Sequence, residues 1–66
     1  MSVAKTIEIL AEGDSIEEAT EAAVREASIS VKNVKHVYVD DFRAIVEDGK
    51  IETYRVKANV TFVVEN

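Results

Sequence analysis

The stretch "VEDGKIETYRVKANVTFVVE", residues 46–65, decides the fold. Its opening places Asp48-Gly49 between two β-rich runs. That dipeptide favours a type I′ hairpin turn, which needs positive φ at both central positions. Beyond the turn the chain alternates without a break. Tyr54, Val56, Ala58, Val60, Phe62 and Val64 share one face, and Thr53, Arg55, Lys57, Asn59 and Thr61 share the other. Period two is the signature of a strand, here expected from Ile51 to Val64. Upstream of the turn its partner reads as one strand in two parts, Val34 to Val39 and Phe42 to Val46. Asp40-Asp41 interrupts the alternation, and the apolar positions switch from odd to even across it, as a β-bulge would require. A turn at Asp48-Gly49 then sets Val37 near Val60 and Val39 near Ala58. It also puts His36, Tyr38 and Phe42 on the side of Arg55, Lys57, Asn59 and Thr61.

Further upstream, Val3 to Ala11 alternates again: Val3, Ile7, Ile9 and Ala11 face one way, and Thr6, Glu8 and Glu12 the other. Gly13 ends this strand. "DSIEEATEAAVREAS" opens with Ser15 followed three residues later by Glu18, a capping-box pattern in which the serine oxygen accepts from an orphan backbone N–H. Glu17 and Glu18 suit the positive end of the helix dipole. Ile16, Ala19, Ala23 and Ala27 recur at helical spacing, a seam of small side chains that lets a helix lie close to a sheet. The spacing predicts a helix over about residues 15–29. The order is β-α-β-β, an α+β protomer with a three-stranded antiparallel sheet curled around one helix, in a single domain spanning residues 1–66.

Composition narrows the function. A chain of 66 residues buries a modest fraction of its surface and gains from disulfides, metal or oligomerisation. It has no cysteine, which removes disulfides, iron–sulfur clusters and thiolate zinc, and its single histidine argues against a transition-metal site within one chain. Oligomerisation is left as the source of extra stability. A net charge of −5 argues against nucleic acid or an anionic membrane as partner. With no signal peptide and no long apolar run, a soluble cytoplasmic protein is the expectation.

The sheet face away from the helix is then the puzzle. A solvated face does not normally carry His, Tyr and Phe together, so it is expected to wrap around something, most simply other copies of the chain. The order of strand, Gly-Ser helix, "NV" strand, "DG" hairpin and closing "TYRVKANVTFVVE" strand resembles the dodecins over essentially the whole length. The resemblance implies a protomer whose sheet curls around its helix, and twelve protomers in a hollow shell of cubic symmetry. It implies storage of flavins (riboflavin or FMN) or their breakdown products, without catalysis. In the family, ligand pairs sit between trimers, stacked on a tryptophan and hydrogen-bonded by a glutamine. The tryptophan position, three residues after the Asn of "NV", holds His36; the glutamine position, after "TY", holds Arg55. Tyr38 joins His36 and Arg55 as a ligand-facing candidate.

Both replacements weaken the usual mode of flavin binding. Imidazole offers a smaller π face than indole, a loss of about 1 kcal/mol or more per contact. Arginine donates only and cannot copy the donor-plus-acceptor pairing of an amide. Absence of the tryptophan and arginine after "TY" resemble instead a calcium-chelating branch of the family. Asp40 and Asp41 are the candidate carboxylates for calcium, assembled between chains, because no EF-hand spacing exists. Each residue also has a structural role open to it: His36 at an interface, Arg55 in an intersubunit ion pair, Asp40 and Asp41 in a bulge. No serine, histidine and carboxylate fall into a nucleophilic arrangement, so no enzyme activity is expected. Three readings stay open: a flavin-type ligand store, a cation-binding shell, and an assembly with neither ligand.

Overall fold

The computed structural model describes residues 3–64. Four elements succeed one another: β1 (Val3–Gly13), α1 (Ile16–Ser30), β2 (Val34–Glu47) and β3 (Lys50–Val64). They form one antiparallel sheet in the order β1-β3-β2, with β3 in the middle. The expected β-α-β-β protomer is therefore what the chain adopts. β1 and β2 both run against β3, and the helix carries the chain over β3 from one edge to the other.

Local chemistry sets the boundaries. Ser15 is the N-cap, with extended backbone and its Oγ accepting from the Glu18 N–H at 3.0 Å. Glu17 and Glu18 occupy the first turn. The helix ends where the Val31 N–H donates to the Ala27 carbonyl, and Asn33 then takes a left-handed conformation (φ 61°). Asparagine is one of the few side chains that tolerate that region. The Val63 N–H donates to the Asn33 carbonyl at 3.1 Å, which ties the link to β3. At the hairpin, Asp48 (φ 54°) and Gly49 (φ 74°) are both left-handed, as a type I′ turn demands.

The hairpin register matches the sequence reading, with Val37 opposite Val60 and Val39 opposite Ala58. The expected bulge is present: register shifts between Val39 and Asp41, leaving Asp40 as the extra residue. Two more shifts lie outside the sequence expectation, one around Lys35 and one at Glu52. The irregularities correct two face assignments. Val34 pairs with Phe62 and so shares its side, rather than standing beside His36. Phe42 pairs with Val56 and so lies on the helix side of the sheet, not with His36 and Tyr38. One extra residue inverts every side chain beyond it.

The core lies between helix and sheet. Ala19, Ala23 and Ala27 are buried against Val56, Ala58, Val60 and Phe62, with Ile9, Ala11, Ile16, Val37 and Val39 around them. Gly13 sets the closeness of that packing. A Cβ placed there would stand 2.7 Å from the Ala19 nitrogen and 3.0 Å from the Glu18 carbonyl carbon. The helix covers little of the sheet: its 15 residues span about 22 Å at 1.5 Å each. The 15 residues of β3 reach about 50 Å, in a chain 52 Å long. Phe42, Val46 and Ile51, near the hairpin end, are consequently more than half exposed. Among the described residues no helix is long and apolar enough to cross a membrane.

Candidate functional site

Because β3 is central, each residue on its outer face from Arg55 to Thr61 meets one from β1 and one from β2. Four rungs result: Thr6–Thr61–His36, Glu8–Asn59–Tyr38, Leu10–Lys57–Asp41 and Glu12–Arg55–Arg43. The first two rungs are neutral apart from Glu8 and hold both aromatic candidates. The last two are dominated by charge. His36 and Tyr38 are two residues apart on one strand face and both are exposed, Tyr38 to 62%. Beside them the Thr6 and Thr61 hydroxyls lie 3.1 Å apart in a hydrogen bond. A flat ring laid on this end would meet imidazole and phenol faces, flanked by the Asn59 amide and two hydroxyls.

The charged end is a set of ion pairs. Arg55 donates from Nε (2.8 Å) and NH2 (2.6 Å) to one oxygen of Glu12. Both side chains are about half exposed, so the pair is worth about 0.2–1 kcal/mol. Lys57 lies 3.2 Å from Asp40 and 4.0 Å from Glu8. Its hydrogen bond to Asp40, reinforced by the charges of Asp40 and Glu8, raises the ammonium above its ordinary value. Arg43 donates to Asp41 at 2.9 Å, and that hydrogen bond holds the Asp41 carboxyl below the usual carboxylate value. Arg43 and Arg55 stand directly opposite each other, like charges that the two carboxylates keep apart.

The five candidates thus fall on one face, with different surroundings. His36 and Tyr38 are open to a ligand. Arg55 already holds a carboxylate of its own chain, where the sequence reading looks for one on another subunit. Asp40 and Asp41 take separate cations, Lys57 and Arg43, and no cluster of three or more metal-binding side chains occurs among the described residues. The partner Glu12 escapes the sequence reading because its place opposite Arg55 depends on strand order. The length and unbroken alternation of β3 are the signal that could find it: such a strand is the natural centre of the sheet, which brings Glu12 opposite Arg55.

On the helix side, an open groove of about 460 Å³ is lined by Thr20, Glu21, Val24, Arg25, Ser28 and Val37. Its one residue from β2, Val37, faces away from His36, so the groove is separate from the aromatic end. A single chain offers His36 and Tyr38 a surface rather than an enclosed pocket.

None of the curated proteins matches the chain. Several solved structures do, over nearly all of its length. The tt0972 protein from Thermus thermophilus is 22% identical, with a TM-score of 0.91, covering 100% of this chain and 98% of the other. The dodecin from Streptomyces davaonensis is 20% identical with a TM-score of 0.89, covering 98% and 97%. The dodecin from Streptomyces coelicolor is 23% identical with a TM-score of 0.89, covering 98% and 94%. At such identities these likenesses establish the fold and nothing further. The family model described as Dodecin matches residues 3–65, nearly the whole sequence, and the chain belongs to the dodecin family.

Proposed function

We propose that the chain is a non-catalytic dodecin that assembles into a dodecameric shell and stores a planar ligand of the flavin class at contacts between protomers. The observation that carries this reading is the neutral end of the uncovered sheet face. There His36 and Tyr38 present two exposed π surfaces beside an amide and two hydroxyls, with no cover from their own chain. A stacked ligand needs a second wall, and a second copy of the same face supplies one. Arg55 serves this site from a distance, as half of an ion pair that holds β1 to β3. The cation-binding reading has less behind it, because Asp40 and Asp41 each have a cation already.

The test is made on the purified native assembly. Light scattering is expected to give about twelve times the 7.3 kDa of one chain. Denaturing extraction with mass spectrometry is expected to recover a flavin or a flavin breakdown product, with elemental analysis of the same sample for calcium. A well-folded monomer, or an assembly that neither carries nor takes up any flavin, overturns the proposal.

A further inference from the structure

We infer that the ligand stored on this face is an unphosphorylated, electrically neutral heteroaromatic, and that Glu8, Glu12, Asp40 and Asp41 set that preference. The inference rests on the reading of the face as a flavin-class site. Its own basis is the ladder of ion pairs below the aromatic end. Three cations stand on these rungs, Arg43, Arg55 and Lys57, and each is within ion-pair distance of a carboxylate of the same chain. Glu8, in the rung of Tyr38, stands 4.0 Å from Lys57, which is already held closer by Asp40. Four carboxylates against three cations leave this ladder of ion pairs one charge negative.

A phosphate ester carries close to two negative charges near neutral pH. To be held by Arg43, Arg55 or Lys57, it must displace a carboxylate that belongs to the chain, and it approaches Glu8 in doing so. A neutral ring system with a hydroxylated tail has no such penalty, and meets Asn59, Thr61 and Thr6 as hydrogen-bonding partners. Lys35, the residue before His36 and the extra one at the first bulge, is in no ion pair among the described residues. It works against the preference.

Riboflavin and FMN are the probe pair, since they differ only in the phosphate. The assembled full-length protein is titrated with each by quenching of flavin fluorescence, at low and at high salt. Riboflavin is expected to bind roughly three- to tenfold tighter at low salt, the ratio falling toward one as salt screens the face. The variant E8Q removes one charge without breaking a close pair, and is expected to shrink the ratio; E12Q, which releases Arg55, is expected to shrink it further. K35Q is expected to widen it. Circular dichroism and light scattering establish that each variant is assembled. FMN binding as tightly as riboflavin at low salt overturns the charge inference and leaves the flavin reading standing. Absence of binding by both overturns the flavin reading, and the inference with it.

Discussion

Replacing Gly13 by alanine adds one methyl group at the place where the helix starts against the sheet. That methyl would lie 2.7 Å from the Ala19 nitrogen, 3.0 Å from the Glu18 carbonyl carbon and 3.1 Å from the Ala19 Cα. All three are backbone atoms of the first helical turn, so no side chain can swing aside. Ordinary contact starts at about 3.4 Å, and the helix must retreat by several tenths of an ångström. Retreat loosens Ala19 and Ala23 from Val56 and Ala58, which are fully buried. Overpacking of this kind costs about 1–3 kcal/mol. Alanine recovers about 0.5–1 kcal/mol by restricting the unfolded chain, because Gly13 does not occupy a positive φ. The centre of these ranges is a net loss of about 1 kcal/mol, a fall in Tm of roughly 4–8 °C for a domain of this size. Thermal unfolding followed by circular dichroism, at one protein concentration, measures it. Gly49 is the contrast, since it has φ +74° and open space around its Cβ position. Gly49→Asn is expected to be nearly neutral, because asparagine accepts that conformation, whereas Gly13→Asn is expected to be as harmful as Gly13→Ala. A Gly13→Ala protein that melts within a degree of the wild type refutes the close-packing argument.

The variant His36→Trp is expected to bind riboflavin about two- to tenfold more tightly, from the larger stacking face; equal affinity in fluorescence titrations refutes the role given to His36. Acid is expected to release the Asp41–Arg43 pair: the depressed folded value of Asp41 contributes stability above its unfolded value of 3.8, lost as pH falls through the folded value. Lys57 behaves oppositely, contributing below its unfolded value of 10.5 and losing the contribution as pH rises through its raised folded value. Melts across pH are therefore expected to be level in the neutral range as far as these two groups are concerned, with Asp41→Asn flattening only the acid limb. Millimolar calcium against chelator is expected to change the Tm of the native chain and of Asp40→Asn/Asp41→Asn alike; a rise confined to the native chain would assign a cation to these carboxylates.

How much is legible in the sequence depends on the range of the interaction. The turn at Asp48-Gly49, the cap at Ser15, the alanine seam and the bulge at Asp40 are local, and sequence patterns reveal each of them. The pairing of Glu12 with Arg55 spans 43 positions and exists only because β3 lies between β1 and β2. The sidedness of Phe42 fails for another reason. The Asp40 bulge is visible in the alternation, but its consequence must be carried past residue 41, and a single unpaired residue decides which face every later side chain takes. Of the candidate site, the positions come from family resemblance, while the ion pairs around them come only from the register.

The unequal lengths of hairpin and helix tie the fold to the proposed assembly. A hairpin of about 50 Å cannot be covered by a helix of about 22 Å, whichever residues line the seam. Among the described residues the seven buried side chains include four alanines, so the enclosed apolar volume is small, while Phe42, Val46 and Ile51 remain more than half exposed on the same side. Apolar surface buried at about 25 cal/mol per Å² is the main resource of a domain this short, and much of it is left uncollected by one chain. On the other side of the sheet the aromatic end is likewise uncovered. A shell of many copies places neighbours against both surfaces, so stability and ligand site depend on the same assembly. Dilution is therefore expected to unfold the protein and release the ligand together. If unfolding and release separate in concentration, the ligand is held by single chains and the shared-contact account fails.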